Sequence, residues 1–239
     1  MKDIHSHILY GIDDGAKTLD ESINIIKNAI DNGITDIVLT PHYISKSKYS
    51  CNNNDKNKIL NTIKNKLKEE NININLYLGN EVMIDKDTLE LINKEEISTI
   101  NNTRYVLIEF SFNYEYDYYQ NIIFELVRNN YIPILAHPER YSYIQKDPKR
   151  IEKYLEMGVI LQGNYLSLFN RYGSDAKKTL KILLKNKQIS LLASDIHREK
   201  TDYRIDKLNK KLNYIIKDKE YINELLNINF TKIINNVNL

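Results

Sequence analysis

The chain has 239 residues, 42% of them hydrophobic and 28% charged, a globular balance that can build a substantial core and argues against disorder. Lys+Arg 34 against Asp+Glu 32 leaves a formal charge of +2, too even to expect a polyanion as the main partner. The single cysteine, Cys51, excludes a disulfide framework, a Cys-rich zinc module and an iron–sulfur cluster. With Asn57 six positions on, the Cys-x5-Arg loop of thiol phosphatases is absent as well, and Cys51 is expected to be a bystander. No apolar run reaches the roughly 18 residues of a membrane helix, and the start lacks a signal-peptide apolar core. A soluble, cytoplasmic protein is expected.

Short aliphatic or β-branched runs bounded by polar residues predict strands at 3–4, 36–40, 74–78, 105–108, 132–136, 159–162 and 189–193. Helical periodicity lies between them. Over 18–32, Leu19, Ile23, Ile26 and Ile30 share a face, Thr18 with Glu21 forms a capping box, and Gly33 supplies the stop. Similar patterns predict helices over 55–70, 118–130, 148–157 and 175–186, and the chain reads as helical from about 203 to its end. The polar stretch 45–58 reads as a loop entering a helix. Alternation of strand and helix implies parallel strands with helices outside. No G-x-G-x-x-G or G-x-x-x-x-G-K occurs, which disfavours an open doubly wound sheet. The expectation is an α/β fold, a closed barrel of seven strands in a single domain over 1–239.

All five histidines follow expected strands: His5 and His7 the first, His42 the second, His137 the fifth and His197 the seventh. Glu81, Glu109 and Asp195 occupy equivalent places after strands three, four and seven, and Asp13-Asp14 follows strand one after a short loop. In a parallel barrel every such end points to one mouth. Imidazoles with carboxylates and no thiolate suit Zn2+, Mn2+ or Fe2+. A catalytic zinc uses about three protein ligands, so these groups exceed one ion's needs and imply two or three. A lone His at a strand end is ordinarily a hydrogen-bonded group; the metal reading rests on all five obeying one rule.

Asp3-Ile4-His5-Ser6-His7, Asp13-Asp14-Gly15, Thr40-Pro41-His42, Gly79-Asn80-Glu81, Ile108-Glu109-Phe110, His137-Pro138-Glu139-Arg140 and Ala193-Ser194-Asp195-Ile196-His197 resemble the polymerase-and-histidinol-phosphatase (PHP) superfamily. Within it they are most similar to manganese-dependent bacterial protein-tyrosine phosphatases of capsule and exopolysaccharide loci. The resemblance covers residues 2 to about 200 and implies a distorted (β/α)7 TIM-like barrel with a helical C-terminal extension and three divalent ions, Mn2+ before Fe2+ or Zn2+. It implies one ion on His5, His7, Glu81 and Asp195, a second on Glu81, Glu109 and His137, and a third on Asp14, His42 and His197. Asp13 and Asp14 are adjacent, and sequence leaves open which points inward. Catalytic roles fall to Arg140, Asp14 and Glu109, with Arg140 gripping a phosphate oxygen in two-point fashion; its alternative is a surface pair with Glu139. Arg198 or Arg204 could supply a second cation, without a commitment to either.

The implied substrate is a phosphotyrosine protein, the Tyr-rich tail of a membrane-associated bacterial tyrosine kinase, with no nucleic acid and no membrane insertion. The alternative is a small-molecule phosphatase such as histidinol-phosphatase. A metal-bound module of nucleic-acid enzymes is a third reading, disfavoured by the even charge. The run Tyr114 to Tyr119 borders the same mouth and is expected to be loop packing rather than a substrate rim.

Overall fold

A computed structural model describes residues 1–201 and 203–239. Among these residues nine short strands pair throughout in parallel. Strand β1 (Lys2–Asp3) leads into helix α1 (Leu19–Asp31), followed by β2 (Asp36–Leu39) and β3 (His42–Tyr43). Helix α2 (Asn53–Glu69) precedes β4 (Asn75–Leu78), β5 (Glu81–Met83) and α3 (Thr88–Asn93). Next come β6 (Tyr105–Glu109), α4 (Tyr118–Arg128) and β7 (Ile132–Ala136), then α5 (Ser142–Lys146) and α6 (Glu152–Glu156). The chain ends with β8 (Ile160–Asn164), α7 (Gly173–Lys185), β9 (Leu191–Ala193), α8 (Ile205–Ile215), α9 (Lys219–Asn223) and α10 (Asn229–Ile234).

The strands form two arcs, β1-β2-β4 and β3-β5-β6-β7-β8-β9. Pro41 separates β2 from β3 and Gly79-Asn80 separates β4 from β5, so each pair is one broken stave. A Cβ at Gly79 would meet Ile100 Cδ1 at 2.7 Å and Thr40 Cγ2 at 3.3 Å, so a larger residue there would displace the Ile100 side chain. The arcs close between β1 and β9. Asp195 N–H donates to the His5 carbonyl at 3.0 Å and His7 N–H to the Ile196 carbonyl at 2.9 Å, around a parallel bridge of Ser6 with Ile196. Buried Asp3 adds a clasp, its Oδ1 accepting Ser194 N–H at 3.0 Å. Seven staves result, as the alternation of elements implied.

Period-two alternation divides each stave into an apolar foot and a polar tip. Tyr105 and Leu107 on β6 point into the barrel, as do Ile134 and Ala136 on β7 and Leu191 and Ala193 on β9. Continuing the β6 and β9 series by two brings Glu109 and Asp195 to the mouth. Phe230 and Ile233 of α10 join the same inner cluster and plug the opposite end. The C-terminal helices thus complete the barrel core, and a second apolar layer packs α1, α2, α4 and α7 against the outer strand faces.

Differences from the sequence expectation are local. Strands two and three continue beyond their breaks, because His42 and Glu81 still pair in register with each other. The helix expected over 148–157 is a 3-10 turn, Pro148–Ile151, running into the short α6. The α1 cap forms, Thr18 Oγ1 accepting Glu21 N–H at 3.2 Å, but the Glu21 carboxylate accepts from Lys17 N–H rather than from Thr18.

Candidate metal centre

The tips of the staves bring His5, His7, Asp14, His42, Glu81, Glu109, His137, Asp195 and His197 to one end of the barrel. His5 Nε2 lies 3.1 Å from His7 Nε2, 3.2 Å from Glu81 Oε2 and 3.6 Å from Asp195 Oδ1. His7 Nε2 lies 3.3 Å from each of the same two carboxylate atoms. Glu81 Oε1 faces His137 Nε2 at 2.8 Å, and Glu109 Oε1 is 3.6 Å from that nitrogen. Glu81 Oε2 also meets His42 Nδ1 at 3.0 Å, with Glu109 Oε2 at 3.9 Å. At the open side, Asp14 Oδ1 stands 3.5 Å from both His42 Nε2 and His197 Nε2, while the His197 ring stacks on His7 at 3.9 Å.

Neighbours outside this ring set the tautomers. Gln162 Oε1 takes a hydrogen bond from His5 Nδ1 at 2.7 Å, and Asp13 Oδ2 takes one from His7 Nδ1 at 2.7 Å. The Asp195 carbonyl lies 3.0 Å from His197 Nδ1. These contacts put a proton on the outer Nδ1 of each ring and turn Nε2 inward, and burial is outweighed by the surrounding carboxylates, which raise His5 and His7. Asp13 also accepts Gly15 N–H at 2.8 Å and His42 N–H at 3.0 Å. Its carboxylate is fully engaged, and Asp14 is the neighbour that faces the mouth. A Cβ on Gly15 would sit 2.1 Å from the His7 carbonyl, so this turn demands glycine.

Two residues of this cluster have left-handed backbones, His137 at φ 34° and Asp195 at φ 52°. Such strain costs roughly 1–3 kcal/mol per non-glycine residue and gathers at functional sites. Here it redirects each side chain inward where a strand ends.

The electrostatics follow from burial and from the close mixture of imidazoles and carboxylates. Burial, reinforced by Arg140, pushes His137 down to about 4 and keeps it neutral. Burial and the Glu81 charge hold Glu109 well above the usual carboxylate range. Burial opposes ionisation of Glu81 and Asp195 too, but the surrounding imidazoles outweigh it and lower both. Glu81 Oε2, His42 Nδ1 and His137 Nδ1 are buried without a hydrogen-bond partner. His5 Nε2 and His7 Nε2 stand 3.1 Å apart, a separation that ligand atoms on a common ion, each bonded at about 2.0–2.2 Å, also adopt. The donor set fits divalent metal.

Arg140 comes from the turn after β7. Its NH1 donates to Asp195 Oδ2 at 2.7 Å, and its guanidinium lies 4.7 Å from the Phe112 ring and 4.3 Å from the Tyr172 ring. Asn164 Nδ2 holds the same Asp195 oxygen at 3.0 Å. Glu139 turns away and accepts from Ser167 Oγ and Asn164 N–H, so the surface pair with Arg140 does not form. Arg198 donates to the Gly15 carbonyl at 2.7 Å, and Arg204 lies 5.5 Å from the Phe169 ring. The tyrosine run packs on itself as expected: Tyr119 stacks on Phe110, Tyr118 and Tyr116 pack edge-on against Tyr119, and Tyr116 stacks on Tyr118, while Tyr114 at the start of the run is 66% exposed.

The family model for capsular polysaccharide synthesis, CpsB/CapC, matches residues 1–235. The chain belongs to the CpsB/CapC family. It is 40% identical to CapC of Staphylococcus aureus over 199 residues, spanning 82% of this chain and 77% of that one. Tyrosine-protein phosphatase CpsB of Streptococcus agalactiae is 30% identical over 243 residues, 99% of each chain. A solved structure described as that of unique metal-dependent tyrosine phosphatases, YwqE from Bacillus subtilis and CpsB from Streptococcus pneumoniae, superimposes with a TM-score of 0.88 at 27% identity. That match covers all of this chain and 96% of the other. Histidinol phosphate phosphatase of Lactococcus lactis shares the fold, with a TM-score of 0.58 at 16% identity over 90% of this chain and 92% of its own.

Sequence missed Gln162, Asn164, Phe112 and Tyr172. Gln162 and Asn164 did leave a signal, two polar residues at alternate positions at the tip of an otherwise apolar strand.

Proposed function

We propose that this CpsB/CapC chain is a metal-dependent protein-tyrosine phosphatase, a phosphoric monoester hydrolase acting on a bacterial tyrosine kinase of the capsule or exopolysaccharide system in the cytoplasm. The observation that carries this is the placement of Arg140, gripped by Asp195 and two aromatic rings, beside the convergent His and carboxylate atoms. The family's tyrosine phosphatases support the substrate class.

His5, His7, Glu81 and Asp195 would hold one divalent cation, Glu81, Glu109 and His137 a second, and Asp14, His42 and His197 a third, with Mn2+ the ion favoured. Bound there, such ions lower the pKa of water and offset charge on phosphoryl oxygens. The chain's own residues do the rest. Gln162 and Asp13 fix the tautomers of His5 and His7 before substrate arrives. Arg140 binds a phosphoryl oxygen, and stacking between Phe112 and Tyr172 limits its freedom, so little entropy is lost on binding. Hydrolysis forms a bond from water oxygen to phosphorus and breaks the bond to the tyrosine oxygen, which leaves as phenolate and then takes a proton. With a parent pKa of about 10, that phenolate departs without a dedicated acid. Asp14, His42 and His197 are partly exposed, so the centre opens to solvent as a polypeptide side chain requires.

The test is an activity panel on manganese-loaded protein with a phosphotyrosine peptide, a phosphoserine peptide and histidinol phosphate. Turnover of the phosphotyrosine peptide at the highest kcat/KM is expected. Preference for histidinol phosphate would overturn the substrate class.

A further inference from the structure

The even net charge conceals a strongly basic face. On α7, Lys177, Lys178, Lys181 and Lys185 recur at helical spacing on the side away from the buried Leu180, Leu183 and Leu184. Lys211 of α8 lies close enough that, after burial, the like charges of Lys177, Lys181 and Arg204 lower its ammonium. Among the described residues, no carboxylate lies within 4.0 Å of any of these five lysines. Further along, Lys181 and Lys185 line a surface cavity of about 430 Å3 with Lys217 and Tyr214, which is 82% exposed.

This face continues the catalytic mouth. The Tyr172 ring that supports Arg140 immediately precedes α7. Lys211 donates to the Leu168 carbonyl at 2.9 Å and sits 4.4 Å from the Phe169 ring, three residues before Tyr172. A chain leaving Arg140 over Tyr172 passes Asp175 in the first turn of α7 and then meets Lys177, Lys178, Lys181 and Lys185. Clustered like charges without counterions raise the local potential and favour a polyanionic partner.

We propose that the α7–α8 face is a docking track for an extended acidic segment of the substrate polypeptide, one carrying further phosphotyrosines or carboxylates beside the phosphotyrosine in the site. The proposal rests on the phosphatase assignment above and adds the surface that receives the rest of the substrate chain. Continuity with the mouth favours a polypeptide over a lipid surface, because a peptide can occupy Arg140 and the lysines together.

The test compares wild type with Lys177→Glu/Lys181→Glu and with Lys181→Glu/Lys185→Glu, each checked by thermal melting. Three substrates are used with manganese: p-nitrophenyl phosphate, a neutral peptide with one phosphotyrosine, and a peptide with three phosphotyrosines. Both variants should raise KM for the third substrate on the order of tenfold and leave the first two unchanged, with the wild-type preference fading as NaCl increases. Equal kinetics of wild type and variants on the third substrate would overturn the proposal. So would variants that lose only their binding to phosphatidylserine vesicles, which would reassign the face to lipid. Wild type inactive on all three substrates would instead defeat the phosphatase assignment. The track is then judged by fluorescence anisotropy of the labelled triply phosphorylated peptide, where binding lost in both variants supports it and binding unchanged refutes it.

Discussion

Asp13 and His7 are joined by a 2.7 Å hydrogen bond in which the carboxylate takes the outer imidazole proton. The adjacent residue, Asp14, instead faces His42 and His197. Neighbours in sequence therefore divide two tasks, one holding the His7 ring and one turning its carboxylate to the mouth. Replacing Asp13 with Asn leaves the shape but removes the charge that fixes the His7 tautomer. Metal affinity should fall about 10- to 100-fold, read as the Mn2+ concentration that half-restores activity to stripped protein.

Arg140 should matter for turnover and not for folding. Arg140→Ala is expected to retain bound manganese while kcat/KM on aryl phosphates falls about 10²- to 10³-fold, the usual loss when one preorganised donor is removed. Arg140→Lys should recover little, because an ammonium neither stacks between Phe112 and Tyr172 nor forms a planar fork. Unchanged kcat/KM in the alanine variant would remove Arg140 from the site.

Lys56 is fully buried on α2 and donates to Asn80 Oδ1 and to Ser98 Oγ, with no carboxylate partner. Burial pushes its ammonium down from 10.5 to about 7. Between those values the unfolded chain binds the proton more readily than the folded one, so this group makes stability rise with pH across that window. The slope is at most about 1.4 kcal/mol per pH unit. Denaturation midpoints measured from pH 7 to 10 should climb in wild type and climb less in Lys56→Met.

The plug at the foot of the barrel predicts a stability effect far from the mouth. Phe230→Ala empties a buried site beside Tyr77 and the inner strand residues and should destabilise by about 3–5 kcal/mol. Cys51 lies in the polar loop, its thiol raised chiefly by burial. Cys51→Ser should leave phosphatase activity intact, whereas a thiol mechanism would lose it.

Positions of the five histidines and of Glu81, Glu109 and Asp195 were legible because each closes a run of strand-forming residues, and parallel strands share one mouth. The Asp13–Asp14 choice was not, since it depends on how the chain turns at Gly15. Phe112 and Tyr172 lie sixty positions apart, and only the fold reveals that one guanidinium separates them. The Lys56 position was equally hidden: a lysine in a polar helix reads as exposed until Asn80 and Ser98 arrive from later strands and loops. The continuation of staves two and three past Pro41 and Gly79 escaped notice because those residues ordinarily end a strand.

Anomalous diffraction from a crystal grown with manganese tests the central claim most directly. Peaks are expected within bonding distance of His5, His7, Glu81 and Asp195, of Glu109 and His137, and of Asp14, His42 and His197. Absence of ordered manganese there, in protein that still hydrolyses a phosphotyrosine peptide, would contradict the account.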